Sequence, residues 1–190
     1  MLLSDNDIKR EVKEGRIRID NFDSKRVQPA SYDILLGNNF ILTESHQNQY
    51  IDPVKKIFPT TREMVIKDDE MFVLHPRISI LGTSWDYFGS KEYLIQLSGK
   101  SSLARIGLLV HNTAGIINPG HYLHITLELC NLGNMPIVLR PKMPIAQLLF
   151  SKLMSPVKRD YTKTGRYSED NWNNFALPRV NSKDLTKKKK

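Results

Sequence analysis

Three neighbouring side chains in the middle of the chain could bind a phosphate group. Lys100 supplies an ammonium group, and Ser101 and Ser102 supply two hydroxyl donors directly after Gly99. A cation and hydroxyl donors beside a glycine suit the oxygens of a phosphate. A surface turn with a capping serine would have the same composition. The segment alone therefore leaves a phosphate site and an ordinary turn both open.

A guanidinium and a carboxylate further along could act in the same pocket. Arg105 follows Ser101 by one helical turn if the segment is helical, so both side chains could point the same way. Glu128 shares one face of a predicted strand with Thr126, while the apolar residues of that strand share the opposite face. Glu128 is thus either a solvated strand residue or a carboxylate that lines a pocket, and the spacing does not decide between the two.

The cysteine content argues against metal-dependent chemistry of one kind. Base deaminases of the zinc class hold their metal with histidine and several cysteines, and this chain has a single cysteine, Cys130. A structural zinc site is disfavoured for the same reason, and a disulfide within the chain is impossible. We therefore expect no metal bound by the protein itself and a cytoplasmic location. Gly99-Lys-Ser also lacks the preceding glycine of a Walker A loop.

The positive charge of the chain is concentrated at its C-terminal end. The formal net charge is +8, and Lys183 together with the four lysines at 187–190 supplies five of these charges. A block of like charges is usually a solvated, disordered end. The chain also lacks an apolar run long enough to span a membrane and the basic-then-apolar order of a signal peptide. We expect neither a nucleic acid nor a membrane as partner.

Short strands dominate the pattern and must position these side chains. Ser4 is the predicted N-cap of a helix over residues 5–14. Apolar runs punctuated by Pro and Gly predict strands, with a turn at Gly37 and Asn38. The predicted strands cover residues 31–36, 39–43, 70–74, 92–97, 106–111, 125–131, 137–139 and 145–151, with a short helix over Gly99-Lys-Ser-Ser-Leu-Ala. This pattern is typical of an all-β sandwich, barrel or jelly roll.

Composition divides the chain near residue 155. Residues 1–155 carry all the predicted elements and form one predicted domain, whereas residues 156–190 are polar with scattered aromatic residues. We therefore expect residues 156–190 to form a mobile C-terminal arm and a basic tail.

Six segments, in this order and at this spacing, resemble the dCTP deaminase branch of the dUTPase-like superfamily. They are Gln28-Pro-Ala-Ser-Tyr-Asp-Ile, Gly99-Lys-Ser-Ser-Leu-Ala-Arg-Ile-Gly-Leu, Thr113-Ala-Gly, the Pro119-Gly120 turn, Ile125-Thr-Leu-Glu-Leu and Arg140-Pro-Lys-Met-Pro-Ile-Ala-Gln-Leu. Together they cover roughly residues 1–167 and are specific, although any one alone is not. The first segment and the Glu of the fifth favour a deaminase over a simple dUTPase.

The resemblance implies a mainly β subunit, a distorted jelly roll or β-barrel of the dUTPase-like type, assembled as a homotrimer with active sites at subunit interfaces. It implies zinc-free hydrolytic deamination of dCTP to dUTP and ammonia, which supplies dUTP for dUMP and thymidylate synthesis. Glu128 would be the general base that activates water, Ser101 would hold that water, and Arg105 would support the developing charge.

The same resemblance implies the substrate contacts. Lys100 and Ser102 would take phosphate oxygens, with magnesium bound to the triphosphate and not to the deamination centre. Asn118 and His121 would lie at the sugar, and an arm would close over the phosphates. The predicted substrate-binding residues are Lys100, Ser102, Asn118, His121, Thr126, Tyr161 and Arg166.

Two departures from the family pattern bear on the product. The family usually has Ile-Asp-Pro-Gly where this chain has Ile117-Asn118-Pro-Gly. In dUTPases that aspartate activates the hydrolytic water, whereas an amide cannot act as a base near neutral pH. Ser168-Glu-Asp stands where the arm often has glutamine, and acidic groups repel a triphosphate. The alternatives are a dUTP diphosphatase, a bifunctional enzyme and a non-catalytic deoxynucleotide-binding homologue.

Overall fold

Helix α1 spans Asp5–Lys13 in the computed structural model, which describes residues 1–44, 50–55, 57–165 and 167. A capping box closes its N-terminus: the Ser4 side chain accepts from the Asp7 backbone N–H, and the Asp7 carboxylate accepts from the Ser4 N–H. Ile8 points into the core and is fully buried. The helix predicted over residues 5–14 is confirmed.

Strands make up much of the rest of the described residues. They are β1 (Ile17–Ile19), β2 (Val27–Gln28), β3 (Ser31–Glu44), β4 (Thr60–Val65), β5 (Phe72–Leu74), β6 (Ser79–Ser90), β7 (Tyr93–Gly99), β8 (Leu108–Leu109), β9 (Ile116–Ile117), β10 (Tyr122–Asn131), β11 (Ile137–Leu139) and β12 (Pro144–Lys152). Two short helices accompany them, α2 (Ser101–Ala104) and α3 (Tyr161–Thr164). Among the described residues, none of the helices combines the length and the apolar composition of a membrane span.

Ten of these strands form one sheet that curls into a half-barrel. Its path runs β8, β10, β6, β3, β12, β7, β9, with β1 added to β6 and with β2 and β4 added to β3. Strands β5 and β11 pair with each other separately. The prediction of a mainly β fold with a short N-terminal helix is confirmed, and the boundary at residue 155 stays a prediction. The sequence pattern does not predict β1, β2, β4, β6 or β9.

The turn predicted at Gly37 and Asn38 is wrong, because β3 passes through both residues without reversing. The first half of β3 pairs with β12 and the second half with β4, so one long strand serves two sets of neighbours. At Gly37 an added Cβ would stand 2.6 Å from the Cγ2 atom of Thr83 on β6. The glycine therefore permits two strands to approach closely and does not form a turn.

Strand β10 alternates between the core and the opposite face along its length. Its core side consists of buried apolar residues, namely Leu123, Ile125, Leu127 and Leu129. His124, Thr126 and Glu128 lie half-buried on the other face. The predicted assignment of faces is confirmed, and it leaves Glu128 outside the apolar core.

A buried carboxylate fastens α1 to the sheet. The Glu11 side chain, 3% exposed, pairs with the guanidinium of Arg16 and accepts a hydrogen bond from the Tyr93 hydroxyl on β7 at 2.7 Å. The Nε atom of Arg10 donates to the same carboxylate at 3.1 Å. The hydrogen bond from Arg16 is the main cause that lowers the pKa of Glu11 from 4.5 to about 2, against the opposing effect of burial.

We expect Glu11→Gln to lower the free energy of unfolding by about 1.5–3 kcal/mol at neutral pH, because the amide loses the charge-assisted hydrogen bonds that the buried carboxylate accepts from Arg10 and Arg16. The folded pKa is about 2 and the ordinary value is 4.5, so this contribution is complete above pH 4.5 and is lost as the pH falls toward 2. Urea unfolding from neutral pH down to about pH 3 would show the difference between the two proteins shrink.

The matched control is Glu63→Gln, which makes the same change on the exposed side of β4. Its free energy of unfolding should stay within about 0.5 kcal/mol of the parent value. A deficit for Glu11→Gln that did not change with pH would contradict the assignment of Glu11 as an ionised anchor.

Candidate active site

Lys100 lies where β7 ends and α2 begins, and a carboxylate from another strand holds its ammonium group. Lys100 Nζ donates to Asp33 Oδ2 at 2.6 Å, with the two side chains 24% and 10% exposed. The side-chain amide of Gln28 donates to the same oxygen at 3.2 Å. The ammonium group predicted to bind phosphate is therefore already fixed to β3.

A second set of hydrogen bonds fixes the backbone just before Lys100. Ser31 Oγ donates to Gln147 Oε1 at 2.9 Å, and Gln147 Nε2 donates to the carbonyl oxygen of Gly99 at 3.2 Å. Three segments quoted for the family resemblance thus meet at one place in the fold, although they are far apart in sequence. Asp33 and Gln147 belong to the motifs of the family resemblance, but no local pattern in the sequence links either residue to Lys100 or predicts a role for it.

Helix α2 presents its polar side chains to solvent. Ser101, Ser102 and Arg105 are exposed, and none of them makes a side-chain hydrogen bond or ion pair with another described residue. The Arg105 backbone N–H donates to the Ser101 carbonyl at 3.1 Å, so the predicted helical spacing between them is confirmed. These three polar groups are available to a ligand or to another protein chain.

Glu128 stands apart from α2 in its polar contacts. Its Oε2 atom accepts from the backbone N–H of Asn112 at 2.9 Å, in the loop that follows β8. Strand β8 pairs with the end of β10 at Cys130 and Asn131, which brings that loop beside Glu128. Among the described residues no hydrogen bond or ion pair joins Glu128 to Ser101, Ser102 or Arg105.

The residues predicted for the sugar meet around one turn. Gly120 has a φ of +87°, and its N–H donates to the Ser90 carbonyl at 2.8 Å. The Tyr161 N–H donates to the Pro119 carbonyl at 2.9 Å, and the Tyr161 ring stacks on His121 with ring centroids 4.0 Å apart. The structure therefore brings His121 and Tyr161 together, with Asn118 exposed at the start of the same turn.

His121 is neutral at ordinary pH because Tyr161 and the turn enclose it. The residue is 8% exposed, and burial lowers its pKa from 6.5 to about 4. Its Nε2 atom is buried without a hydrogen-bond partner among the described residues. The Tyr161 hydroxyl accepts from the Tyr167 N–H at 3.3 Å, whereas Arg166 lies outside the described residues.

An open cleft of about 290 Å³ lies further along the face of β10 that carries Glu128. Its lining residues are Arg18, Asp20, Asn21, Trp85, Tyr87 and His124. Arg18 stands 4.9 Å from the Tyr87 ring centroid and pairs with Asp20 at 2.8 Å, so its charge is already compensated. None of the predicted site residues lines this cleft.

The described residues contain no cluster of three or more His, Cys, Asp or Glu that could hold a metal ion. The described residues offer exposed hydrogen-bond donors on α2 and, on β10, the carboxylate of Glu128 anchored through one oxygen. Cationic and hydroxyl donors bind phosphate, and a carboxylate with one oxygen anchored can accept a proton on the other.

Known proteins resemble this chain over most of its length. The sequence model of the dCTP deaminase-like family matches residues 2–153. A protein named dCTP deaminase, dUMP-forming, from Beutenbergia cavernae is 45% identical over 162 residues, which are 85% of this chain and 84% of that protein. The protein of the same name from Streptomyces coelicolor is 44% identical over 162 residues, 85% of each chain.

A solved structure resembles the fold. The crystal structure of 2′-deoxycytidine 5′-triphosphate deaminase from Agrobacterium tumefaciens has a TM-score of 0.59 at 18% identity, over 78% of this chain and 46% of that one. This chain thus spans less than half the length of that deaminase chain. The likeness bears only on the fold, and it confirms the prediction of a dUTPase-like fold. Because the family's sequence model covers residues 2–153 and relatives 44–45% identical span 85% of the chain, the protein belongs to the dCTP deaminase-like family.

Proposed function

We propose that this protein removes ammonia from dCTP by hydrolysis, with Glu128 as the general base and without zinc. The proposal rests on the position and hydrogen bonding of Glu128, in a chain that belongs to the dCTP deaminase-like family. Its carboxylate stands outside the core on the open face of β10, with Oε2 held by the Asn112 N–H at 2.9 Å. One oxygen is anchored, so the other is left to take a proton from water.

The chemistry needs one base that receives a proton and then returns it. Glu128 takes a proton from water as the water oxygen bonds to the cytosine ring carbon that carries the amine. The ring nitrogen next to that carbon takes up the second proton of the water, and the protonated Glu128 gives its own proton to the amine nitrogen. The carbon–nitrogen bond then breaks, and ammonia leaves a ring carbonyl beside a ring N–H. A positioned base of this kind is commonly worth about 10²–10⁴ in rate.

Ser101 and Arg105 act in this reaction from a second copy of the chain. Within one chain they share no polar contact with Glu128, and both are exposed on α2. A homotrimer with sites between subunits supplies them across an interface, where Ser101 holds the attacking water and Arg105 stabilises the developing charge. The trimer and the shared site are part of this proposal.

The remaining residues bind the substrate. Lys100 and Ser102 take phosphate oxygens, and Asn118 and His121 contact the sugar. Thr126 also contacts the substrate, and Tyr161 and Arg166 belong to the arm that closes over the phosphates. Magnesium enters bound to the triphosphate, because this hard cation prefers phosphate oxygens and water. The cytoplasmic location, and the absence of nucleic-acid and membrane partners, stay predictions.

The proposed product is dUTP, although the relatives are named dUMP-forming. Formation of dUMP requires a base that activates water beside the phosphates, and Asn118 has no ionisable group for that task. The names of the relatives favour dUMP as a second candidate product. The two candidates differ in a single step that can be measured directly.

We expect the protein with dCTP and magnesium to release dUTP and ammonia, with dUMP at most a minor product. Asn118→Asp should raise the share of dUMP, because it restores a carboxylate at the turn. Chromatography of dUTP, dUMP and dCMP over time measures both. Formation of dUMP without free dUTP by the unaltered protein would show that Asn118 does not block the second step, and binding without conversion would favour a non-catalytic role.

We expect Glu128→Gln to lower the rate of ammonia release by at least about 10²-fold while the Kd for dCTP stays within about tenfold. The amide keeps the shape of the side chain but cannot accept the proton. Glu63→Gln, on the exposed side of β4, is the matched control and should deaminate at the parent rate. Equal activity in Glu128→Gln would remove this residue from its role.

The shared site predicts that two inactive variants restore each other. Glu128→Gln and Arg105→Ala should each be nearly inactive alone, and refolding them together should give about a quarter of the sites both a native Glu128 and a native Arg105. Ammonia release from the mixture measures the recovery. A mixture as inactive as its components would place both residues in the same subunit's site.

A further inference from the structure

Asp33 is a buried carboxylate beside the ammonium group of Lys100, which is proposed to bind the negatively charged triphosphate. The residue is 7% exposed, and only one of its two oxygens is used: Oδ2 accepts from Lys100 at 2.6 Å and from Gln28 at 3.2 Å. Its Oδ1 atom is buried without a hydrogen-bond partner among the described residues. A negative charge here weakens the attraction of the site for phosphate, so its presence needs a compensating role.

The compensating role is conformational. A lysine side chain is long and loses much of its rotamer freedom when it is fixed. The pair with Asp33 fixes the ammonium group before any ligand arrives. The entropy of Lys100 is therefore lost on folding, and substrate binding does not have to order the side chain. An ammonium group has three donors, and the bond to Asp33 uses one, which leaves two for phosphate oxygens.

The backbone that carries Lys100 is fixed by the same strands. Gln147 on β12 holds the Gly99 carbonyl, and Ser31 on β3 holds Gln147 in turn. Ser31, Gln28 and Asp33 all belong to the segment around the start of β3. The backbone before Lys100 and the ammonium group of Lys100 are therefore both held by the same strands. A lysine that served only solubility or a surface ion pair would not need both to be held.

We infer that Asp33 is the positioning residue of Lys100, and that it sets the ammonium group for the phosphates of the substrate. The inference rests on the proposed phosphate role of Lys100. Asp33 itself does not touch the substrate. It acts through Lys100. Its negative charge weakens the attraction of the site for phosphate, but its hydrogen bond fixes the direction in which the ammonium group points.

A double-mutant cycle on dCTP binding tests this inference. Calorimetry with dCTP and magnesium should give a Kd about tenfold weaker for Asp33→Asn, the size of one charge-assisted hydrogen bond. Lys100→Met should weaken binding at least as much. The double variant should bind within about twofold of Lys100→Met alone, because Asp33 has no role once the ammonium group is gone.

Two further variants guard against a general effect on folding. Asp68→Asn removes the acid of another Asp–Lys pair, Lys142 Nζ to Asp68 Oδ2 at 2.5 Å on the surface, and should leave the Kd unchanged. Gln28→Ala removes only the supporting bond to Asp33 from an exposed residue. It should weaken dCTP binding by roughly threefold, and only when Lys100 is present, even if Asp33→Asn does not fold.

Penalties that add in the double variant would overturn the inference, since Asp33 would then act independently of Lys100. Tighter binding by Asp33→Asn would overturn it too, because Asp33 would act only as a repelling charge. If Lys100→Met binds dCTP as well as the parent, the phosphate role of Lys100 fails and the inference fails with it. Loss of deamination with this pattern of Kd values intact would instead count against the proposed reaction alone.

Discussion

The two-residue alternation of β10 is the constraint on which the rest of this site depends. A strand that is buried on one side must expose its other side to something else, and here the buried side is a continuous apolar row. Glu128 therefore cannot enter the core without turning the whole strand over. The fold therefore fixes the position of the Glu128 carboxylate on the open face of β10. The backbone N–H of Asn112, in the loop after β8, donates a hydrogen bond to it.

A second constraint is that the proposed catalytic base, Glu128, shares no polar contact with the proposed catalytic and binding groups of α2 among the described residues of one chain. The anchored carboxylate of Glu128, the donors of α2 and the enclosed His121–Tyr161 stack are three separate groups within one chain. Sites built between symmetric copies can join such groups without a larger subunit. On this account the sheet positions each group rigidly, and assembly brings the groups within reach of one substrate.

The parts of this structure that depend on neighbours in the chain could be predicted from the sequence. The cap at Ser4 and the two faces of β10 follow from spacing alone, and both are confirmed. The turn at Gly37 and Asn38 is wrong because a Gly-Asn pair looks locally like a turn, whereas pairing of β3 with β4, β6 and β12 decides the outcome. Strand β6 is not predicted because its glycines permit close approach of other strands, and because its buried Ser84 and Asp86 side chains accept hydrogen bonds from distant backbone groups that no local pattern reveals. The Asp33–Lys100 bond is not predicted because 67 residues separate its partners.

The fate of the water oxygen distinguishes deamination alone from deamination followed by phosphate hydrolysis. The reaction is run in water enriched in oxygen-18. The base and the phosphates of each product are separated, and their masses are measured by mass spectrometry. We expect label in the carbonyl formed on the ring of dUTP and none in its phosphates. Label in the phosphate of dUMP or in a released phosphate, or a converted ring without label, would rule out this reaction.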